Sequence, residues 1–95
     1  MITNVTFRHL KSSPALQEAA MDHANKFEKF NDQITSTDVI FENDATKKVE
    51  FTVRVRGKSL VASESSEDFR KSLNTAADKI VRQLKKDKTK RNKNS

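Results

Sequence analysis

The last third of the chain carries the feature that most limits its possible folds. From residue 69 to residue 84, apolar side chains recur every three or four positions, which predicts an α-helix with one buried face. This stripe consists of Phe69, Leu73, Ala76, Ala77, Ile80 and Leu84. Ser65, followed by an acid at Asp68, predicts the N-cap of the helix. Such a helix needs an apolar surface to cover, and the preceding residues must supply it.

Four segments before this helix have the pattern of β-strands. The clearest spans residues 48–56, where polar side chains alternate with Val49, Phe51, Val53 and Val55. This alternation is typical of an antiparallel sheet with one buried face and one face in water. The other predicted strands are residues 2–7, 34–42 and 59–63, and Gly57-Lys58 predicts a hairpin turn.

A second amphipathic helix is predicted from Pro14 to Phe30, with Ser13 as its N-cap and proline at the first helical position. The resulting order is β-α-β-β-β-α. For an α+β chain of this kind, the compact arrangement is a four-stranded sheet with two helices packed side by side on one face. We expect a single domain over residues 1–88 and a disordered basic tail over residues 89–95.

Positive charge is concentrated near the C-terminus. Residues 71–95 contain nine basic and two acidic residues, whereas residues 1–70 contain ten basic and eleven acidic residues. This distribution favours a polyanionic partner, nucleic acid before a membrane surface, with a solubilising charged tail as the alternative. The candidate RNA-binding residues lie on the two predicted helices and the tail: Lys26, Lys29, Lys79, Arg82, Lys85, Lys86 and Lys90.

Other kinds of chemistry have little support in the sequence. The absence of cysteine excludes disulfides and thiolate metal sites, and a single glycine excludes a glycine-rich phosphate loop. His9 and His23 are isolated and lack the spacing of metal ligands. We therefore predict no enzyme activity, no cofactor and no small-molecule substrate.

The absence of tyrosine and tryptophan bears on how RNA would be recognised. The six phenylalanines mostly occupy predicted core positions, so a platform that stacks single-stranded bases is disfavoured. Recognition of the backbone and shape of folded RNA fits the basic helices better. The N-terminus does not have the layout of a signal peptide, and no apolar run approaches the roughly 20 residues of a membrane span. We expect a cytoplasmic protein with no membrane partner.

Several runs of residues in the C-terminal half follow a recognisable order: Leu60-Val61-Ala62-Ser63, Glu67-Asp68, Leu73, Asp78-Lys79-Ile80 and Arg82-Gln83-Leu84-Lys85-Lys86. In this order they resemble the ribosome hibernation promoting factor family, also called protein Y or ribosome-associated inhibitor A. Lys26-Phe27-Glu28-Lys29 is similar to the end of that family's first helix. The chain departs from the pattern at Phe69-Arg70, where the family usually has a tyrosine two residues after the acid.

This resemblance implies a protein that binds the small ribosomal subunit between its head and body. The basic helices would lie on ribosomal RNA in the channel of messenger and transfer RNA, and would block translation in stationary or starved cells. Matching positions imply RNA contacts by Lys26, Lys79, Arg82 and Lys86, with Lys29 and Lys85 as additions.

The chain resembles the family's short form, which lacks a C-terminal dimerisation domain. Its basic tail favours a factor that helps ribosomes to pair, together with a second protein. The alternatives are a double-stranded RNA- or DNA-binding module of similar topology, and an adaptor that binds a membrane surface or a protein through its charged tail.

Overall fold

The computed structural model describes the backbone of residues 1–93 and the side chains of residues 1–86. Its elements, in chain order, are β1 (Ile2–Arg8), α1 (Pro14–Phe30), β2 (Ile34–Asn43), β3 (Lys47–Val55), β4 (Lys58–Ser66) and α2 (Phe69–Lys93). The strands form one sheet in the order β1-β2-β3-β4, and both helices pack against one of its faces. The predicted fold class is confirmed.

The sheet is mixed, although the sequence predicted an antiparallel one. β2 pairs with β3, and β3 with β4, in antiparallel fashion, but β1 pairs with β2 in parallel, with Val5 opposite Val39. The difference arises because α1 returns the chain to the end of the sheet at which β1 began. A strand that follows such a crossover must run parallel to the first one.

The core lies between the helices and the inner face of the sheet. Phe27 of α1, Phe41 of β2 and Phe51 of β3 are completely buried. The rings of Phe27 and Phe51 meet edge to face with their centroids 5.3 Å apart, and burial of each such side chain contributes about 1.5–3 kcal/mol. α2 contributes its predicted apolar stripe, with Phe69 half-buried and the others buried: Leu73, Ala76, Ala77, Ile80 and Leu84.

α1 has the predicted bounds, and its cap is also as predicted, because the Ser13 hydroxyl accepts a hydrogen bond of 3.3 Å from the Leu16 N–H. The predicted cap of α2 is wrong, since Ser65 lies inside β4. Pairing with β3 extends that strand through residue 66, and Asp68 becomes the cap. Its Oδ1 accepts a hydrogen bond of 3.3 Å from the Arg70 N–H, and its carbonyl accepts one of 3.0 Å from the Ser72 N–H.

The hairpin between β3 and β4 lies one residue earlier than predicted. Arg56 and Gly57 are its two central residues, because β3 ends at Val55 and β4 begins at Lys58. Their φ angles are +33° and +84°, and positive φ at both central positions is the pattern of a type I′ turn. Glycine therefore occupies the second position, while an arginine adopts the left-handed conformation at the first.

α2 runs through the position at which the sequence predicted a domain boundary. The helix is continuous past residue 88 as far as Lys93. The single domain over residues 1–88 and the disorder of the 89–95 tail stay predictions, and residues 94 and 95 lie outside the described part of the chain.

Candidate nucleic-acid interface

The two helices run in the same direction across the sheet. Towards the start of their contact, His23 Nε2 lies 3.0 Å from Asn74 Oδ1, and at the end of α1 the Lys85 Nζ lies 5.5 Å from the centroid of the Phe30 ring. The parallel arrangement follows from the topology, since β1, β2 and β4 all point one way and each helix returns the other way. α1 therefore ends beside the lysine-rich part of α2. A helix C-terminus is the negative end of its dipole, which favours cations there.

Five basic side chains are exposed on this part of the helix layer, and we call them the basic patch: Lys26, Lys29, Arg82, Lys85 and Lys86. Among the residues with described side chains, none of the five forms an ion pair with a carboxylate. Their charge is therefore directed to solvent rather than to the protein itself. Such a surface attracts phosphate groups.

Lys85 connects the two helices within this patch. Its ammonium group lies over the half-buried ring of Phe30, the last residue of α1. A cation–π contact of this kind contributes about 0.5–1 kcal/mol at an exposed site and leaves the positive charge in place. Lys85 is thus held at the seam between α1 and α2 without being neutralised.

Lys79 is placed differently from the other predicted residues of α2. Its ammonium group forms an ion pair with Glu64 of β4 and lies 3.5 Å from the Ser63 carbonyl oxygen. One turn later, Gln83 Nε2 donates a hydrogen bond of 3.0 Å to the Val61 carbonyl. The structure therefore separates Lys79, which faces β4, from Arg82 and Lys86, which face outward.

Lys90 was also predicted to bind RNA. It belongs to α2, but its side chain lies outside the described residues. Of the seven predicted residues, the structure thus brings five into one patch and turns Lys79 toward β4. An RNA contact by any of the seven stays a prediction.

The β3–β4 hairpin lies at the same end of the sheet as the end of α1. Ile34, the first residue of β2, pairs with Val55, the last residue before the turn. Only three residues separate α1 from β2, so the turn is close to the end of that helix. Arg56 is not among the candidates predicted from the sequence, because the alternating pattern of residues 48–56 includes it in the strand. The short connection over residues 31–33 was the signal that could have placed it.

The open face of the sheet contrasts with the helix layer. Arg54 forms an ion pair with Asp38, and Asn4 Nδ2 donates a hydrogen bond of 3.0 Å to the same carboxylate. The hydrogen bond from Arg54, together with that from Asn4, lowers the pKa of Asp38 below its ordinary value. Arg8 and Glu42 approach to 4.0 Å on the same face. Basic residues here have acidic neighbours, so this face offers little net charge to a polyanion.

The described part of the chain offers no sign of a metal site or a membrane span. Its histidine and acidic side chains form no group of three or more that could hold a metal ion. Neither of the described helices combines the length and apolar character needed to cross a membrane.

Comparison with known protein families shows to which family the chain belongs. The model of the sigma 54 modulation protein / S30EA ribosomal protein family matches residues 3–92. The chain belongs to this family.

Named relatives agree with membership of the S30EA family. The ribosome hibernation promoting factor of Pseudomonas putida is 32% identical over 91 residues, which cover 95% of this chain and 89% of that protein. That of Azotobacter vinelandii is 34% identical over 91 residues, with 95% and 85% covered. A ribosomal subunit interface protein from Coxiella burnetii has the same fold, with a TM-score of 0.86 and 27% identity over 94% of this chain and 99% of that one. The predicted resemblance is confirmed.

Proposed function

We propose that this member of the S30EA family binds the ribosome and silences it in stationary phase or stress. In this proposal the basic patch lies on ribosomal RNA of the small subunit, in the channel of messenger and transfer RNA. Inhibition follows from steric occlusion, because the channel cannot hold the protein and its normal RNAs together. The protein acts in the cytoplasm, without a cofactor, and catalyses no reaction.

The basic patch is the observation that carries this proposal. Five exposed cations without a carboxylate partner among the described side chains lie on adjacent parallel helices, while Arg54 and Arg8 on the opposite face of the sheet lie beside Asp38 and Glu42. The names of the two bacterial relatives support a role in ribosome hibernation.

The distribution of aromatic residues supports recognition of the RNA backbone. None of the six phenylalanines is exposed, so no described aromatic ring is free to stack on an unpaired base. Lysine and arginine on helices contact phosphates without reading sequence. Folded ribosomal RNA suits such a surface because its shape fixes where the phosphates lie.

Co-sedimentation with ribosomes at several salt concentrations tests the proposal. About six phosphate contacts imply that log K falls with log salt at a slope of roughly −4 to −5. The protein is expected to pellet with small subunits at low salt and to leave them as salt rises. Absence from the ribosomal fraction at low salt would contradict the proposal.

Charge reversal on the helix layer makes the test specific. Arg82→Glu with Lys86→Glu is expected to abolish pelleting, because both side chains are exposed and belong to the basic patch. The matched control is Lys11→Glu with Lys71→Glu, which changes the net charge equally at two exposed positions near the opposite end of the helices. Circular dichroism should show that both variants are folded. Equal loss in the control would mean that net charge, not the patch, governs binding.

Two further outcomes separate related functions. Equal competition by plain duplex RNA would favour a general double-stranded RNA-binding module, which reads the same backbone chemistry. The proposal also includes ribosome pairing with the help of a second protein. Gradient sedimentation with and without that partner would show pairing as a faster ribosome peak.

A further inference from the structure

The backbone of the β3–β4 hairpin shows an unusual choice of residue. The first central position of the turn has φ of +33°, a conformation that favours asparagine, aspartate or glycine, yet Arg56 occupies it. A residue other than glycine in this region is uncommon, and such outliers often mark functional positions. The requirements of the turn alone do not explain an arginine here.

The side chain of Arg56 also has no described role within the protein. It is exposed and forms no hydrogen bond or ion pair with the residues whose side chains are described. Beside it, a Cβ atom built on Gly57 would meet nothing within 4 Å. The tip of the hairpin is therefore open to an approaching molecule.

The position of the hairpin indicates which kind of molecule Arg56 would meet. Because Val55 pairs with Ile34, the tip lies at the end of the sheet where α1 ends and where Lys29 and Lys85 belong to the basic patch. The nearby Asp32 accepts a hydrogen bond of 3.0 Å from Gln33 Nε2.

We propose that Arg56 binds an RNA phosphate and that the hairpin tip is a third element of the interface, beside α1 and α2. This inference rests on the proposed function. A guanidinium group suits the role because its planar N–H donors match two phosphate oxygens at once, with a geometry that lysine cannot supply. The hairpin would extend the interface from the helix layer to the rim of the sheet.

The substitution Arg56→Asn separates a role in RNA binding from a role in the turn. Asparagine is favoured in a type I′ turn, so the melting temperature is expected to rise. Ribosome binding is expected to weaken severalfold, with the log–log salt slope smaller in magnitude by roughly 0.7–0.9 for one lost contact. Arg56→Lys should restore most of the salt slope but not the full affinity.

Arg8→Asn is the matched control, because it removes an exposed arginine at the opposite end of the sheet. It should leave the salt slope unchanged. The inference is overturned if Arg56→Asn binds ribosomes with wild-type affinity and slope while Arg82→Glu with Lys86→Glu does not bind. That result would leave the proposed function intact, whereas failure of the wild-type protein to bind would refute both.

Discussion

The helix layer and the open face of the sheet both carry arginine and lysine, but they use them differently. On the sheet, Arg54 is bound by Asp38 and Arg8 approaches Glu42. On the helices, Lys29 and Lys86 have no described carboxylate partner, and Lys85 rests on an aromatic ring. The comparison teaches that the number of cations on a surface does not identify an interface. What matters is whether their charge is already compensated.

The two architectures explain this difference. Residues on neighbouring strands lie about 5 Å apart in fixed register, so opposite charges on one face of a sheet pair readily. The exposed side of a helix has fewer neighbours from other elements. Lys79 is intermediate between the two cases. It lies on α2, but its charge is compensated by Glu64 on β4.

Reversing the charge of one lysine on each side of the contact between α1 and α2 should have the largest effect on ribosome affinity. Lys29→Glu with Lys85→Glu puts acids on both helices of the basic patch. Ribosome affinity is expected to fall by about tenfold or more for each residue, since each lost charge-assisted contact is worth about 1.5–3 kcal/mol. Sedimentation binding curves at constant salt provide the measurement, and unchanged affinity would exclude both Lys29 and Lys85 from the interface.

Removing the internal partner of Lys79 should have a smaller effect in the opposite direction. Glu64→Gln leaves the ammonium group without its carboxylate, so Lys79 becomes available to phosphate. We expect tighter ribosome binding and a salt slope larger in magnitude by roughly 0.7–0.9. In the double variant Glu64→Gln with Lys79→Gln this gain should disappear; a gain that persisted would assign the effect to Glu64 itself.

Breaking a charge pair on the open face should change stability more than binding. Arg54→Gln removes the ion pair with Asp38 and the hydrogen bond of 3.2 Å from Arg54 Nη1 to Ser36 Oγ. Because these groups are partly exposed, the expected loss is about 0.5–1 kcal/mol in the free energy of unfolding, measured by urea denaturation. Ribosome affinity should be unaffected, and a marked loss of affinity would show that the sheet face also meets RNA.

The smallest effect is expected from acid. The pKa of Asp38 is lowered in the folded protein, chiefly by the hydrogen bond from Arg54. The corresponding stabilisation is complete above the ordinary pKa of 3.8 and is lost as pH falls through the lower folded value. Urea titrations between pH 6 and pH 3 should therefore converge for wild type and Arg54→Gln as pH falls. Parallel curves would mean that Arg54 stabilises the fold without acting on Asp38.

Local patterns predicted most of the fold. The bounds of α1 follow from its serine cap, its proline and its apolar period, all of which are encoded within the helix. The start of α2 and the turn at Arg56 were displaced because they depend on how far β3 and β4 pair. The parallel direction of β1 followed from the crossover of α1, which no alternation within a strand reveals.

In the candidate site, too, the local sequence predicted some features, whereas others depend on packing between elements. A helical period predicted that Arg82 and Lys86 face outward, and they are exposed. It could not predict that Lys79 pairs with Glu64, because that contact depends on how α2 packs against the sheet. The contact between Lys85 and Phe30 likewise depends on the relative position of two helices.

The side chains that α2 extends to β4 have a consequence for self-association. β4 is an edge strand, and exposed edges invite pairing with strands of other molecules. Lys79 and Gln83 lie against two of its carbonyl oxygens, at Ser63 and Val61, and a lysine is also a charged obstacle to an incoming strand. Lys79 is therefore expected to hinder strand pairing at this edge, and its replacement by a short apolar residue should favour aggregation along β4.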